Sequence, residues 1–258
     1  MKAIVFANQK GGTGKTTTVI NVGDVLAQLG KKTLILDFDP QGHAAVSLNL
    51  DPEPGIANWL LYSIIHSTPA SPAVVEEWIR PTRRENLFVL PGNQSTAKAQ
   101  RHLAIEDKPI NYIKDCLTPI RRLGFDYLLL DTPPSTGGLQ EMAVWAADLA
   151  VIVSSMDYLS ADGVSGLMEM LKILHGEKRW SGKLAGLLPT FYDEQTKTTR
   201  EQMNNLQSAF PNQVFTPIHR ATVLREASAE GLTIFEKDPK SRSAIEYEDL
   251  AKRLSKLE

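Results

Sequence analysis

The first residues of the chain place a glycine-rich loop between a strand and a helix. The apolar run Ala3–Ala7 predicts a buried strand, and the amphipathic stretch Lys15–Leu29 predicts a helix. Between them lie residues 8–14, with the sequence NQKGGTG. A strand, a tight glycine loop and a helix in this order form the framework that a phosphate-binding loop requires. The sequence therefore predicts an α/β fold with an anion site at the end of its first strand.

Further apolar runs alternate with helix-length segments along the rest of the chain. These runs carry no polar alternation, which is typical of strands that are covered on both faces. Alternating strands and helices favour a doubly wound, mainly parallel sheet with helices on both faces, in which ligands bind at the carboxyl ends of strands. The other predicted strands are 33–37, 86–90, 126–131, 149–154, 184–188 and 214–218, and the other clear helices are 109–123, 160–175 and 199–210.

The length of 258 residues allows one large domain or two small ones. We interpret residues 1–258 as one domain, because no linker or low-complexity segment divides the sequence. Residues 51–110 are less regular, since prolines split them into short helices such as 55–65 and 73–79. We expect this segment to be a helical elaboration on the sheet.

Composition excludes several classes of function. The sequence has 28 Lys and Arg against 30 Asp and Glu, so the protein as a whole carries no positive charge that would attract nucleic acid or anionic lipid. Any basic surface must therefore be local. The single cysteine, Cys116, cannot form an intrachain disulfide or a CxxC metal site. No apolar stretch is long enough to span a bilayer or to form a signal peptide, so we expect a cytoplasmic protein.

The glycine-rich loop has the chemistry of a triphosphate site. Gly11, Gly12 and Gly14 permit a tight loop whose backbone N–H groups point at an anion, and the N-terminus of the next helix adds positive charge. Lys15 can reach the β and γ phosphates of a nucleotide, and the hydroxyl of Thr16 can bind Mg²⁺.

Two acidic elements follow at the ends of later strands. Asp37 and Asp39 share one face of an extended segment, so one can hold Mg²⁺ or its water while the other orients an attacking water. Taken alone, this DFDPQG segment is equally typical of a solvated turn. The apolar run 127–130 ends at Asp131, which corresponds to the second acid of P-loop NTPases. Residues 133–138, with two prolines and two glycines, suit a loop that switches with the γ phosphate.

These elements, in this order, resemble the ParA family of deviant Walker A (SIMIBI) P-loop ATPases, which segregate plasmids and chromosomes or position large cargo. The strict pattern GxxxxGK[ST] is not met, because Gln9 stands where its first glycine would be. The variant Lys-Gly-Gly-x-Gly-Lys-Thr stands there instead. The resemblance covers residues 1–50 and runs from 126 to the end, whereas residues 51–110 match poorly.

The resemblance implies an ATP- and Mg²⁺-dependent ATPase that forms a two-fold homodimer around ATP. Lys10 would be the signature lysine that reaches the nucleotide of the partner subunit, and Asp39 would position or activate the hydrolytic water. The implied catalytic residues are Lys10, Lys15 and Asp39, and the implied metal-binding residues are Thr16, Asp39 and Asp131. The implied nucleotide-binding residues are Lys10, Gly11, Gly12, Thr13, Gly14, Lys15, Thr16 and Thr17, with Pro189, Tyr192 and Pro217 beside adenine. These last three are equally typical of loop prolines and a packed tyrosine.

The family also binds DNA without sequence specificity in its ATP-bound dimer and is released when a ParB-like partner stimulates weak hydrolysis. We therefore expect a nucleoid-associated protein with a local basic face. Two arginines that the family often carries are replaced here by Gln195 and Val223, so individual contacts are open and a solvated helix face is the alternative. The candidate DNA-binding residues are Arg200, Arg220, Arg225, Lys240 and Arg242.

Three relatives of this class are the alternatives, together with metabolic P-loop enzymes, for which no second substrate motif is visible. A ParA-like cargo-positioning ATPase would share every motif above. A MinD-like protein would bind membranes through a C-terminal amphipathic helix, but residues 247–258 contain no Trp or Phe and read as a packing helix, so we expect no membrane partner. A nitrogenase iron protein would need cluster cysteines, which one cysteine cannot supply.

Overall fold

A single twisted sheet organises the molecule. The computed structural model describes residues 1–135, 138–156 and 161–257, without the side chains of residues 161–163 and 165. Within these residues the sheet has seven strands in the order β3-β4-β2-β5-β1-β6-β7, all parallel except β3 against β4. The strands are β1 Lys2–Ala7, β2 Thr33–Asp37, β3 Arg80–Pro81, β4 Leu87–Leu90, β5 Tyr127–Asp131, β6 Leu149–Ser155 and β7 Lys183–Thr190.

Helices cover both faces of this sheet. Because a parallel crossover returns the chain to the same edge, the long helices before residue 183 lie between strands in sequence, whereas those after residue 190 follow the last strand. The described helices are α1 Lys15–Gln28, α2 His43–Val46, α3 Ile56–His66, α4 Pro72–Trp78, α5 Gln94–Ile105, α6 Tyr112–Arg121, α7 Leu139–Ala146, α8 Ala161–Gly176, α9 Lys197–Ala209, α10 Thr222–Ala229, α11 Ile234–Lys237 and α12 Arg242–Lys256.

Alternate side chains of the strands build two hydrophobic cores. In β1, Val5 belongs to one core, which also contains residues of α3, α5, α6, α7 and α8. Its neighbours Ile4 and Phe6 belong to the other core, with residues of α1 and α12. Both sides of each central strand are therefore buried, which explains why the sequence shows no polar alternation there.

The sheet brings the carboxyl ends of β2, β5 and β1 together as neighbours. Asp37 at the end of β2 is in register with Asp131 at the end of β5, and Phe6 of β1 is also in register with Asp131. The loop between β1 and α1 leaves the sheet at the same edge. Backbone pairing alone thus brings both acids to the glycine-rich loop.

The predicted mainly parallel, doubly wound sheet is confirmed. One predicted strand, at residues 214–218, is wrong. Residues 214–218 form only an isolated bridge between Val214 and Leu187, beside β7. Pro217 lies in this segment and has no N–H to donate, so a regular ladder cannot continue through it. Gly137, in the predicted switching loop, and Ser160, the predicted first residue of α8, lie outside the described residues.

Residues 51–110 pack onto the sheet. Trp59 and Leu60 of α3 and Leu103 of α5 are fully or nearly fully buried in the same core as Leu34 and Leu36 of β2. This packing supports the interpretation of the segment as an elaboration of the sheet. The short strand β3 and the helix α5, which the sequence did not predict, both belong to it.

Candidate functional site

Hydrogen bonds within the loop between β1 and α1, and from this loop to β6, fix its conformation. Gly12 and Gly14 have φ of 70° and 83°, a region that residues with a Cβ rarely adopt. Asn8 stabilises the first turn, because its Oδ1 accepts the N–H of Lys10 at 2.9 Å and its Nδ2 donates to Val153 O at 2.6 Å. These hydrogen bonds and backbone angles fix the shape of the loop.

The side chain of Lys15, the first residue of α1, points into this loop. Its side chain is buried, and Nζ donates to the carbonyl oxygen of Lys10 at 3.1 Å. Burial lowers the pKa of Lys15, while the charges of Asp131 and Asp39 act in the opposite direction. A buried ammonium group with a weakened preference for its charged form gains most when an anion enters beside it.

Thr16 and Asp131 form the second part of the site. Thr16 Oγ1 donates to Asp131 Oδ2 at 2.6 Å, while Asp131 Oδ1 is buried and has no hydrogen-bond partner. Burial raises the pKa of Asp131 to about 7, although the hydrogen bond from Thr16 and the charge of Lys15 act in the opposite direction. A hydroxyl and a carboxylate with an unused oxygen are the hard ligands that Mg²⁺ accepts beside phosphate oxygens, so this pair fits the metal. Within the described residues, no three His, Cys, Asp or Glu side chains form a metal cluster.

Asp37 and Asp39 have different environments although they stand two residues apart. Asp37 is completely buried, and its two oxygens accept the N–H groups of Asp39 and Ala44 at 2.9 and 3.1 Å. Burial, with the charge of Asp131, raises its pKa well above the ordinary value. Asp39 is only partly buried, and its Oδ1 accepts the N–H of Gln41 at 2.9 Å. Asp37 therefore supports the turn, and Asp39 is the acid that reaches the open side of the site.

Gly92, which the sequence analysis missed, allows this turn to form. A Cβ at Gly92 would lie 2.3 Å from the carbonyl oxygen of Asp39, and one at Gly42 would lie 2.4 Å from the carbonyl oxygen of Gly92. The loops after β2 and β4 thus pack backbone against backbone. The Pro91-Gly92 dipeptide after a strand was the available signal, but it indicates only a turn.

A cavity of about 520 Å³ extends from the glycine-rich loop. Gly14 and Thr17 line one end of it, and Tyr247 of α12 lies among its other lining residues. Pro189, Tyr192 and Pro217 are not among these residues. Their chain neighbours are, namely Thr190, Phe191, Ile218 and His219. The structure thus brings both predicted adenine loops to the cavity, but through residues that the sequence did not single out.

The five predicted DNA-binding residues have different surroundings. Arg220 and Arg225 line the cavity, and the guanidinium of Arg220 lies 5.6 Å from the ring centroid of Phe191. Arg200 and Lys240 are exposed. Arg242 is half exposed and forms ion pairs with Glu194 and Glu246. Arg200 Nη1 donates to the carbonyl oxygen of Glu194 at 3.2 Å, so Arg200 and Arg242 meet at Glu194, while Arg220 and Arg225 line the cavity.

The fold and this loop together define a P-loop NTPase of the deviant Walker A class. Four features define this class: the glycine-rich loop between β1 and α1, the side chain of Lys15 directed into that loop, the hydroxyl of Thr16, and Asp131 at the end of β5. In open α/β sheets this edge is where ligands bind.

Comparisons with known proteins identify the family. A family model described as "AAA domain" matches residues 1–182. The chromosome-partitioning ATPase Soj of Treponema pallidum is 34% identical over 98% of this chain and 96% of its own length. The sporulation initiation inhibitor protein Soj of Bacillus subtilis is 33% identical over 98% of both chains. The chain belongs to this family of ParA/Soj-like partition ATPases.

A solved structure shows the same fold with a nucleotide. Cobyrinic acid a,c-diamide synthase from Mycobacterium smegmatis, with bound ADP and magnesium, superimposes with a TM-score of 0.81 at 27% identity. The match covers 99% of this chain and 94% of that one.

Among the described residues, no helix has both the length and the hydropathy needed to cross a membrane.

Proposed function

We propose that this protein is an ATP hydrolase of the ParA type that binds Mg²⁺-ATP and acts in the partition of DNA. The observation that carries the proposal is the pairing of Thr16 with Asp131 beside the buried Lys15, with one carboxylate oxygen left unused. Relatives that are 34% and 33% identical over 98% of this chain bear the names of chromosome-partitioning ATPases.

Each residue of the site has a distinct proposed role. The N–H groups of residues 11–17 hold the phosphates, and Lys15 neutralises them. Thr16 and Asp131 hold Mg²⁺, which as a bound cation supplies charge neutralisation for the developing negative charge. Asp39, the more exposed acid, orients the attacking water, with Asp37 fixing the turn that carries it.

Lys10 acts across a dimer interface in this proposal. Its side chain is exposed, while its backbone N–H is fixed by Asn8 and its carbonyl oxygen by Lys15. A lysine at the tip of a rigid loop can place its charge on a phosphate of a second subunit without reorganising its own site. The ATP-bound state is then a two-fold homodimer.

The dimer is proposed to bind DNA on the nucleoid without sequence preference and to be released after a ParB-like partner stimulates hydrolysis. The terminal phosphate thereby sets the population of the DNA-binding state. The membrane-binding alternative receives no support from α12, because Leu250 and Leu254 of that helix are buried in the core beside α1.

The test compares three nucleotide states of the full chain. With Mg²⁺-ATP, light scattering should show a dimer, and a DNA retention assay should show binding that falls steeply with salt, because phosphate contacts release counterions. With ADP or no nucleotide, the protein should be monomeric and should lose most of its DNA binding. Identical mass and DNA retention in all three states would refute the proposal.

A further inference from the structure

One wall of the cavity is a loop without regular secondary structure. Its residues Ile218, His219 and Arg220 line the cavity. Backbone hydrogen bonds attach this loop to the end of β7, because Ile218 N donates to Pro189 O at 2.9 Å and Arg220 N donates to Tyr192 O at 3.0 Å. These bonds fix the path of the chain on one side. The opposite side of the loop faces α12.

Glu246 of α12 holds His219 by two hydrogen bonds. Its Oε2 accepts the backbone N–H of His219 at 3.0 Å, and its Oε1 accepts from the ring Nδ1 at 2.6 Å. Since a carboxylate only accepts, the proton of a neutral His219 must be on Nδ1. The ring of His219 also meets the ring of Tyr192 edge-on, with centroids 4.9 Å apart. One carboxylate therefore fixes both the backbone and the ring orientation of a residue that lines the cavity.

A buried carboxylate needs compensation for its lost hydration, and Arg242 supplies it. Glu246 is 6% exposed, and Arg242 Nε donates to its Oε1 at 3.0 Å. The same guanidinium donates to both oxygens of Glu194, at 2.9 and 3.1 Å. These hydrogen bonds lower the pKa of Glu194, which confirms that its charged form is the favoured one. Arg242 is thus engaged by two carboxylates at once.

We propose that Glu246 is a positioning residue for the base end of the nucleotide site and that Arg242 supports it there. Glu246 acts through His219, whose fixed loop forms the wall against which the nucleoside part of ATP is held. Arg242, which the sequence analysis assigned to DNA, serves the nucleotide. This inference rests on the proposed function, since it presumes that ATP occupies the cavity beside Gly14 and Thr17.

The location of Glu246 separates this role from that of the phosphate loop. Lys15, Thr16 and Asp131 hold phosphates and metal through contacts that do not involve α12. A change at Glu246 should therefore weaken ligands that carry a base and leave ligands that consist only of phosphate unaffected. General loss of folding would weaken both classes of ligand alike.

The test measures two ligands against matched variants of the full chain. Mg²⁺-ATP and Mg²⁺-tripolyphosphate are titrated calorimetrically into the wild type, Glu246→Gln and Glu248→Ala. Gln conserves the volume but offers only one acceptor oxygen, so ATP should bind about tenfold more weakly, while tripolyphosphate should stay within about twofold. Glu248, on the same helix, bonds Lys252 and not the loop, so its variant should bind both ligands as the wild type does.

Two results would overturn the inference. ATP affinity of Glu246→Gln within about twofold of wild type would show that the two acceptors do not matter to the base end. Equal weakening of ATP and tripolyphosphate would show a general structural effect. Failure of the proposed function itself looks different, because the wild type would then bind neither ligand.

A second variant tests Arg242 separately. Arg242→Ala should weaken ATP binding about fivefold, whereas Lys256→Ala, another cation of α12, should leave it unchanged. At saturating ATP, Arg242→Ala should retain DNA as the wild type does. If Arg242→Ala binds ATP normally but binds DNA more weakly than the wild type at saturating ATP, Arg242 contacts DNA and the inference about its role is wrong.

Discussion

The two ends of the proposed nucleotide site are built in different ways. The phosphate end comes mainly from residues 8–17, which are contiguous, and from two acids that close neighbouring parallel strands. The base end comes from segments that are far apart in sequence, namely α2, the end of β7, the loop before α10, α10 itself and α12. The family model, which matches residues 1–182, contains the first end and only α2 of the second. Local sequence therefore specifies the phosphates, and tertiary packing specifies what lies beside the base.

The electrostatics of the two ends differ as well. At the phosphate end, burial lowers the pKa of Lys15 and raises the pKa values of Asp37 and Asp131, so it disfavours the charged form of each. At the base end, the buried Glu246 is already compensated by Arg242 and His219. The first end should thus respond strongly to the loss of one charge, and the second more weakly. The predictions below test this contrast.

The largest effect is expected for Lys15→Ala. Removal of the buried ammonium leaves phosphates without their principal counter-charge, so the affinity for both Mg²⁺-ATP and Mg²⁺-tripolyphosphate should fall at least about 100-fold. Calorimetric titration measures both, with the exposed Lys183→Ala as the matched control. Loss of ATP binding with tripolyphosphate binding retained would contradict the assignment of Lys15 to the phosphate end.

Asp39→Ala should separate binding from turnover. The steady-state rate of ATP hydrolysis should fall about 100-fold or more, because the attacking water loses its orienting acid. ATP affinity and dimerisation should remain, since Asp37 still holds the turn by two backbone hydrogen bonds. Asp51→Ala, a change at an exposed loop acid, is the control. A normal rate of hydrolysis in Asp39→Ala would remove that residue from the reaction.

Lys10→Ala should weaken dimerisation but leave ATP binding by the monomer nearly unchanged. The variant should bind ATP within about threefold of wild type while its dimer dissociation constant rises about tenfold or more, because one charge across the interface is lost on each side. Light scattering over a concentration series with Mg²⁺-ATP measures this, with the exposed Lys31→Ala as the matched control. A stable ATP-dependent dimer of Lys10→Ala would contradict the role across subunits.

The smallest effect is expected for the exposed cations. Replacing Arg200 and Lys240 together by Ala should weaken DNA binding several-fold for all sequences alike and reduce the salt slope by about 2, about one for each lost phosphate contact. ATP affinity should not change, because neither residue lines the cavity. An unaltered salt slope would place the DNA surface elsewhere on the dimer.

Much of the fold and of the phosphate end could be predicted from the sequence. The strand at Thr33–Asp37 has the predicted limits, and α1 begins at the predicted Lys15. The strand is a short apolar run and the helix is an amphipathic stretch between Gly14 and Gly30, so local preference and burial agree in both elements. The prediction of a strand at 214–218 failed because Pro217 interrupts the ladder, although the side chains there are apolar.

The base end could not be predicted in the same way. Pro189 and Tyr192 were chosen by resemblance, yet the cavity is lined by Thr190 and Phe191, one position away. The chain is not regularly extended at this point, so an alternating pattern does not tell which side chains face the cavity. Phe191 has φ of 54°, a left-handed conformation that no sequence pattern announces for a bulky residue.

By itself the sequence determined most of the strands and long helices, the glycine-rich loop and the acids that end β2 and β5, because each depends on residues that are neighbours along the chain. Only the tertiary structure decided that Glu246 meets His219, that Arg242 bridges two carboxylates and that Gly92 lies under Asp39. Apart from Arg242 and Glu246, which are four positions apart on α12, these residues are tens of positions apart in the sequence. Their contacts exist only after the sheet has closed the distance, because hydrogen bonds and ion pairs act over a few ångströms in space, whatever the separation in sequence.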